Sequence, residues 1–298
     1  MIPLAGAGST SDGRFTVAKT YKLYVGGAFP RSESGRSYPV HDTKGRLLAH
    51  AALASRKDVR DAVSAAAGAV RGWSGATAYN RGQVLYRVAE MLQGRRDQFI
   101  DEVVAAEGGQ RRRAAALIDT AIDRWVWYAG WTDKIAAVLG SVNPVAGPFV
   151  NWSAPEPTGV VGVLAPRASS LLGLVCALAP VLAIGCTAVV VAAPDRPLPA
   201  ISLGEVLATS DVPPGVVNIL TGRAEELAPW LASHADVNGL DLTGAPEDLA
   251  ADLERAAAAT VKRVLARPAT EPDFTRAPDV SRLRAWSEIK TVWHPVGR

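Results

Sequence analysis

Apolar runs of five to seven residues alternate with longer mixed segments across residues 159–267. The runs are Gly159–Ala165, Thr187–Ala192, Gly215–Leu220, Val237–Leu242 and Val261–Leu265. Between them, Ser169–Ile184, Pro199–Thr209, Ala224–His234 and Pro246–Ala259 each leave room for two or more helical turns. Short β-rich runs separated by helices predict parallel strands joined by right-handed crossovers, with helices on both faces. Such strands are buried on both sides and read as continuously apolar, as Val189-Val190-Val191 does. The expected fold is α/β, with a Rossmann-like parallel sheet and flanking helices.

Upstream, residues 1–20 are rich in Gly, Ser and Thr and are expected to form a flexible tail. Tyr21–Val25 alternates, and Gly26-Gly27 supplies a turn before Ala28-Phe29, which predicts a hairpin. Tyr38–Val40 and Leu47–Leu53 predict a second strand pair. Val59, Ala62, Val63, Ala66 and Val70 share one helical face in a helix opening at Lys57-Asp58. Further helices are expected over Arg81–Leu92, Asp97–Glu107 (closed by Gly108-Gly109) and Ala114–Trp131. The last carries Trp125, Trp127, Tyr128 and Trp131, an aromatic cluster best read as core or interface. Residues 21–139 thus form a helical N-terminal part. Residues 140–158 then read as a hairpin around the turn Ala146-Gly147-Pro148, too small to stand without another sheet. After the α/β unit, a Pro-rich linker covers 268–280. An extended stretch, Leu283–Pro295, lies within the C-terminal segment 281–298 and carries Trp286, Ile289, Val292 and Trp293.

Composition narrows the function classes. The 298 residues are 48% hydrophobic, ample for a packed core, and a net charge of +3 with no basic stripe argues against nucleic acid as the ligand. Two cysteines are too few for a disulfide framework and fit a reducing cytoplasm. The start lacks the basic n-region of a signal peptide, and Leu171–Ile184 is shorter than a membrane span. His41, His50, His234 and His294 are scattered, so no metal site is expected. Gln110–Arg113 reads as a solvated face, with contact to an acidic patch on a partner as the alternative.

The order of these parts resembles the aldehyde dehydrogenase superfamily. The residues that carry the likeness are Tyr21–Gly27, Glu156–Val163, Leu178–Thr187, Ser287–Val292 and, most specific, Pro213-Pro-Gly-Val-Val-Asn-Ile-Leu-Thr-Gly222. The resemblance implies a nucleotide-binding domain, a catalytic domain with a nucleophilic cysteine, and an arm made of a hairpin and the C-terminal strand. This chain resembles the first and third parts. Val261–Leu265 should run on into the catalytic domain, but passes through the linker to a segment like the family's C-terminal tail.

Aldehyde oxidation needs an attacking thiolate, an oxyanion donor, a carboxylate base and a dinucleotide that accepts hydride. Cys176 and Cys186 lie in apolar context and match no nucleophile of the family, so no catalytic residue is expected. Where the family has Pro-Trp-Asn-Phe-Pro, this chain has Pro166-Arg167-Ala168-Ser169-Ser170, with Ala168 in the place of the oxyanion-holding Asn. Ala266-Arg267-Pro268 stands where the base Glu is expected. Val191 and Pro194 fall at the ribose-binding Lys and Glu, and Gly244–Leu249 replaces the run that faces the pyrophosphate. Pro166, Thr243 and Gly244 remain as vestigial cofactor-binding positions. Ser169-Ser170 near Arg167 could mimic an anion site, with helix capping as the alternative.

The leading expectation is a catalytically inactive subunit. It would assemble with a full-length aldehyde dehydrogenase homologue, or with itself, through hairpin 140–158 and strand 283–295. No cofactor is expected, with NAD(P) the cofactor if family activity is retained. The alternatives are an NAD(P)-dependent aldehyde dehydrogenase and a stand-alone module that binds another small ligand near Arg167, Ser169 and Thr243.

Overall fold

The structure is a computed structural model and describes residues 17–297. The expected N-terminal tail therefore lies largely outside the described residues. Thr20–Tyr21 (β1), Ser37–His41 (β2) and Leu47–Ala52 (β3) form a small sheet in the order β1-β3-β2. The Gly26-Gly27 turn is present, with Val25 and Ala28 exchanging backbone bonds of 2.9 and 3.1 Å. Tyr24 extends outward from that turn to bond Ile219, fastening the N-terminal segment to the edge of the main sheet.

Four long helices follow: Arg56–Gly75 (α1), Ala78–Gly94 (α2), Arg96–Glu107 (α3) and Arg111–Trp131 (α4), then the short Ile135–Leu139 (α5). Ser55 starts α1 through a capping box, its hydroxyl accepting from Lys57 N and its own N–H donating to Asp58 at 2.8 Å. The aromatic face of α4 is core: Trp125 and Tyr128 are buried, and Trp127 and Trp131 pack against that core. Ser141–Asn143 (β4) and Phe149–Pro157 (β5) make the expected hairpin.

The α/β unit comprises Val160–Leu164 (β6), Leu172–Ile184 (α6), Thr187–Val191 (β7), Leu198–Ala208 (α7), Val217–Leu220 (β8), Ala224–Ser233 (α8), Gly239–Asp241 (β9), Glu247–Ala258 (α9) and Arg263–Leu265 (β10). All five strands are parallel, in the order β10-β9-β6-β7-β8. The chain builds outward from β6 to β8, then returns to place β9 on the other side. The switch point of the sheet lies between β6 and β9, where open α/β sheets form a crevice at their C-terminal strand ends. Every residue of α6 is buried, which explains why its sequence has no polar face.

After β10 the sequence pattern needs correction. Leu283 does not begin an extended run: Ser281–Ala285 is a helical turn (α10), and only Ser287–Pro295 is strand (β11). β11 pairs antiparallel with all nine residues of β5, giving a sheet in the order β11-β5-β4. Trp286 between α10 and β11 is fully buried, and a Cβ on Gly239 would come within 2.8 Å of its ring. Its carbonyl accepts from Thr158 N at 3.1 Å. This tryptophan locks the C-terminal segment to the main sheet.

Candidate functional site

At the C-terminal strand ends, the loops after β6, β7 and β9 are tied together by hydrogen bonds among themselves and to residues 267–282. After β6, Pro166 is buried, while Arg167 and Ala168 are exposed. The N–H groups of Arg167, Ala168 and Ser169 all point at one carboxylate, that of Glu271. Its Oε2 lies 2.8 Å from Arg167 N and 2.9 Å from Ala168 N, and its Oε1 3.0 Å from Ser169 N. Ser169 Oγ accepts from Gly173 N at 2.9 Å, so the capping role holds alongside the anion role, the anion being supplied by the chain itself. Ser170 donates from both N and Oγ to Glu107, at 2.6 and 2.7 Å.

On the β9 side, Asp241 is fully buried. Its Oδ1 accepts from Thr243 N at 2.9 Å and from Thr243 Oγ1 at 2.5 Å, and its Oδ2 accepts from Arg282 Nη1 at 2.5 Å. Arg282 Nη2 also donates to Thr243 Oγ1 at 3.0 Å. The Thr243 hydroxyl is therefore engaged on both its donor and its acceptor side. Gly244 donates to Leu164 O at 3.0 Å and lies so close to β6 that a Cβ there would collide with the Ala165 carbonyl. This residue is needed for packing whether or not a ligand binds.

The other positions singled out in the sequence are spread around this centre. Arg267 donates to Ala245 O at 3.1 Å and pairs with Glu247 at 3.3 Å. Val191 is buried within β7. Pro194 lines a cavity of about 600 Å³ with Tyr38, His41, Arg167, Arg196 and Arg223. Its arginines are already partnered: Arg167 with Asp195 at 2.9 Å, Arg196 with Ala168 O at 2.8 Å, and Arg223 with Glu226 at 3.6 Å. Cys176 and Cys186 are both buried, and burial pushes their thiols up to about 11 and about 12. No group of three or more His, Cys, Asp or Glu among the described residues could hold a metal. No helix among the described residues is long and apolar enough to cross a membrane.

A protein-family model described as the aldehyde dehydrogenase family matches residues 29–268. The chain belongs to that family. Cytosolic aldehyde dehydrogenase 1 of Elephantulus edwardii is 31% identical over 250 residues, covering 82% of this chain and 49% of the relative. Human retinal dehydrogenase 2 is 31% identical over 255 residues, covering 83% of this chain and 48% of the relative. Among solved structures, HpcC from Thermus thermophilus matches with a TM-score of 0.79 at 30% identity, over 83% of this chain and 47% of that one. An NAD+ complex of a Bacillus cereus aldehyde dehydrogenase has the same fold, with a TM-score of 0.77 at 24% identity, over 83% of this chain and 50% of that one. The chain spans about half the length of these relatives.

Within this aldehyde dehydrogenase fold, the groups that sequence reasoning missed are Glu271, Arg282 and Asp241. Asp241 carried a usable signal: a carboxylate inside a buried strand needs a cation or several donors, and the sequence offered Arg282 and Arg284 downstream. Nothing in the linker's sequence pattern marked Glu271.

Proposed function

We propose that this chain is a non-catalytic member of the aldehyde dehydrogenase family that assembles with a full-length aldehyde dehydrogenase through its arm. One observation carries the reading. Residues 266–286 run from β10 across the C-terminal strand ends and enter strand β11 directly, with Trp286 buried on the way. Ala168 offers only a backbone amide at the oxyanion place, and Glu271 already occupies it. Arg267 stands where a carboxylate base is needed, and burial raises both cysteine thiols, disfavouring the thiolate. The crevice does not fit a dinucleotide either. The β6-loop amides and the Thr243 hydroxyl are engaged, and Val191 and Pro194 offer nothing to a ribose.

The arm supports assembly. It exposes Val142, Val150 and Trp152 on one face and Phe149, Ile289 and Trp293 on the other, with the nine-residue β11 at the sheet edge. An apolar sheet with an open edge is stabilised by another chain's strand or face. The buried, reduced cysteines fit a cytoplasmic setting. The test of the catalytic half is direct. The purified chain with NAD and a panel of aldehydes should give no NADH, and NAD should leave its melting temperature unchanged; turnover would refute the reading.

A further inference from the structure

We infer that residues 267–280 form a latch whose Glu271 carboxylate is the resident ligand of an anion cradle, held shut against small external carboxylates and phosphates. The latch goes beyond the proposed function and holds whether or not the chain assembles with a partner.

Three successive backbone N–H groups, from Arg167, Ala168 and Ser169, converge on the two oxygens of one side chain at 2.8 to 3.2 Å. Consecutive amides around a concavity make an anion nest, and bonds from N–H to an ionised acceptor are stronger than neutral ones. The segment that delivers the carboxylate is anchored on both sides of it. Arg267 holds one end to Ala245 O at 3.1 Å. At the other end the Phe274 ring is buried where a Gly173 side chain would stand. Nearby, the buried Arg124 guanidinium donates from Nη2 to three successive carbonyls: Phe274 at 3.4 Å, Thr275 at 3.3 Å and Arg276 at 2.5 Å. A cation collecting three carbonyls of one irregular segment fixes the path of that segment, not merely its proximity.

Between the anchors, Ala269, Thr270, Pro272 and Asp273 are exposed. Release of Glu271 therefore need not disturb the core, and it would leave the amides of the exposed Arg167 and Ala168 open to solvent. Glu271 acts here as an internal substitute for an external anion, and the cradle is latent while the latch is closed.

The test compares the full chain with its Glu271→Ala variant by hydrogen exchange and by amide NMR shifts at residues 167–169, with acetate and inorganic pyrophosphate as probes. In the wild type these amides are expected to be protected and to ignore both probes. In Glu271→Ala their exchange should be faster by about tenfold or more, the scale of losing a bond to a charged acceptor. Acetate should restore protection and move the shifts back toward wild-type values; pyrophosphate doing so more strongly would identify a cradle that prefers phosphates. Wild-type amides that exchange like a free loop would overturn the latch, a result readable even if the variant fails to fold. A folded variant that responds to neither probe, or no more than the wild type does, would overturn the cradle.

Discussion

Arg282→Leu isolates the contact that ties the C-terminal segment to the crevice. Asp241 is 0% exposed and Arg282 17% exposed by side chain, so both charges are largely out of water. Asp241 relies on three donors, two from Thr243 and one from Arg282, and only the arginine neutralises it. Breaking a buried pair by removing one partner costs about 3–5 kcal/mol, because the charge left behind stays desolvated. Against a total stability of about 5–15 kcal/mol, that is a large fraction. The assay is urea unfolding followed by tryptophan fluorescence, read as a fall in midpoint at unchanged slope. The double variant Asp241→Asn/Arg282→Leu removes charge and countercharge together. It should recover roughly 2 kcal/mol of the single variant's loss, as expected for coupled sites. A single-variant loss below about 1 kcal/mol, the range of exposed pairs, would refute the reasoning. Strict additivity of the two substitutions would refute it equally.

Three further outcomes follow from the packing. Trp286→Ala empties a fully buried site between Gly239 and Thr158, and should cost about 3–5 kcal/mol in the same assay, with earlier proteolysis of β11. Val261→Gly should stabilise by about 1 kcal/mol, because this β-branched residue is 91% exposed and adopts φ 54° after α9, where glycine is unstrained. The cysteines set a pH dependence. Their folded pKa values are raised from about 9 to about 11 and about 12, so the stability gained by burying neutral thiols is complete below pH 9 and is lost as pH rises toward those values. A Cys176→Ala/Cys186→Ala chain should show a flatter alkaline decline, and a thiol reagent at pH 8 should label the wild type only on unfolding.

The parallel sheet was legible because its strands are buried on both faces and so carry runs such as Val189–Val191, which leave little choice of element. Hairpin 140–158 was legible from its turn residues, and α1 from its one-face spacing, whereas the Ser55–Asp58 capping box that starts it was not read from the sequence. The C-terminal segment was read less well. Leu283 and Trp286 lie within a mixed run that fits either a strand or one helical turn, and the helical form prevails because it directs Arg282 at Asp241 and Trp286 under β9. Those are tertiary demands with no local signature. The site showed the same division. The expectations at Ala168, Arg267, Val191 and Pro194 rest on the resemblance to the family pattern alone. That the vacated amides are filled by Glu271, a hundred residues downstream, is a property of chain path alone.

Assembly without catalysis is tested most directly by native mass spectrometry of the chain co-expressed with a full-length aldehyde dehydrogenase. A mixed oligomer is expected, and it should be lost when Trp152 and Trp293 on the two arm faces are replaced by Ser. Two separate species, each at its own mass and indifferent to those substitutions, would contradict it.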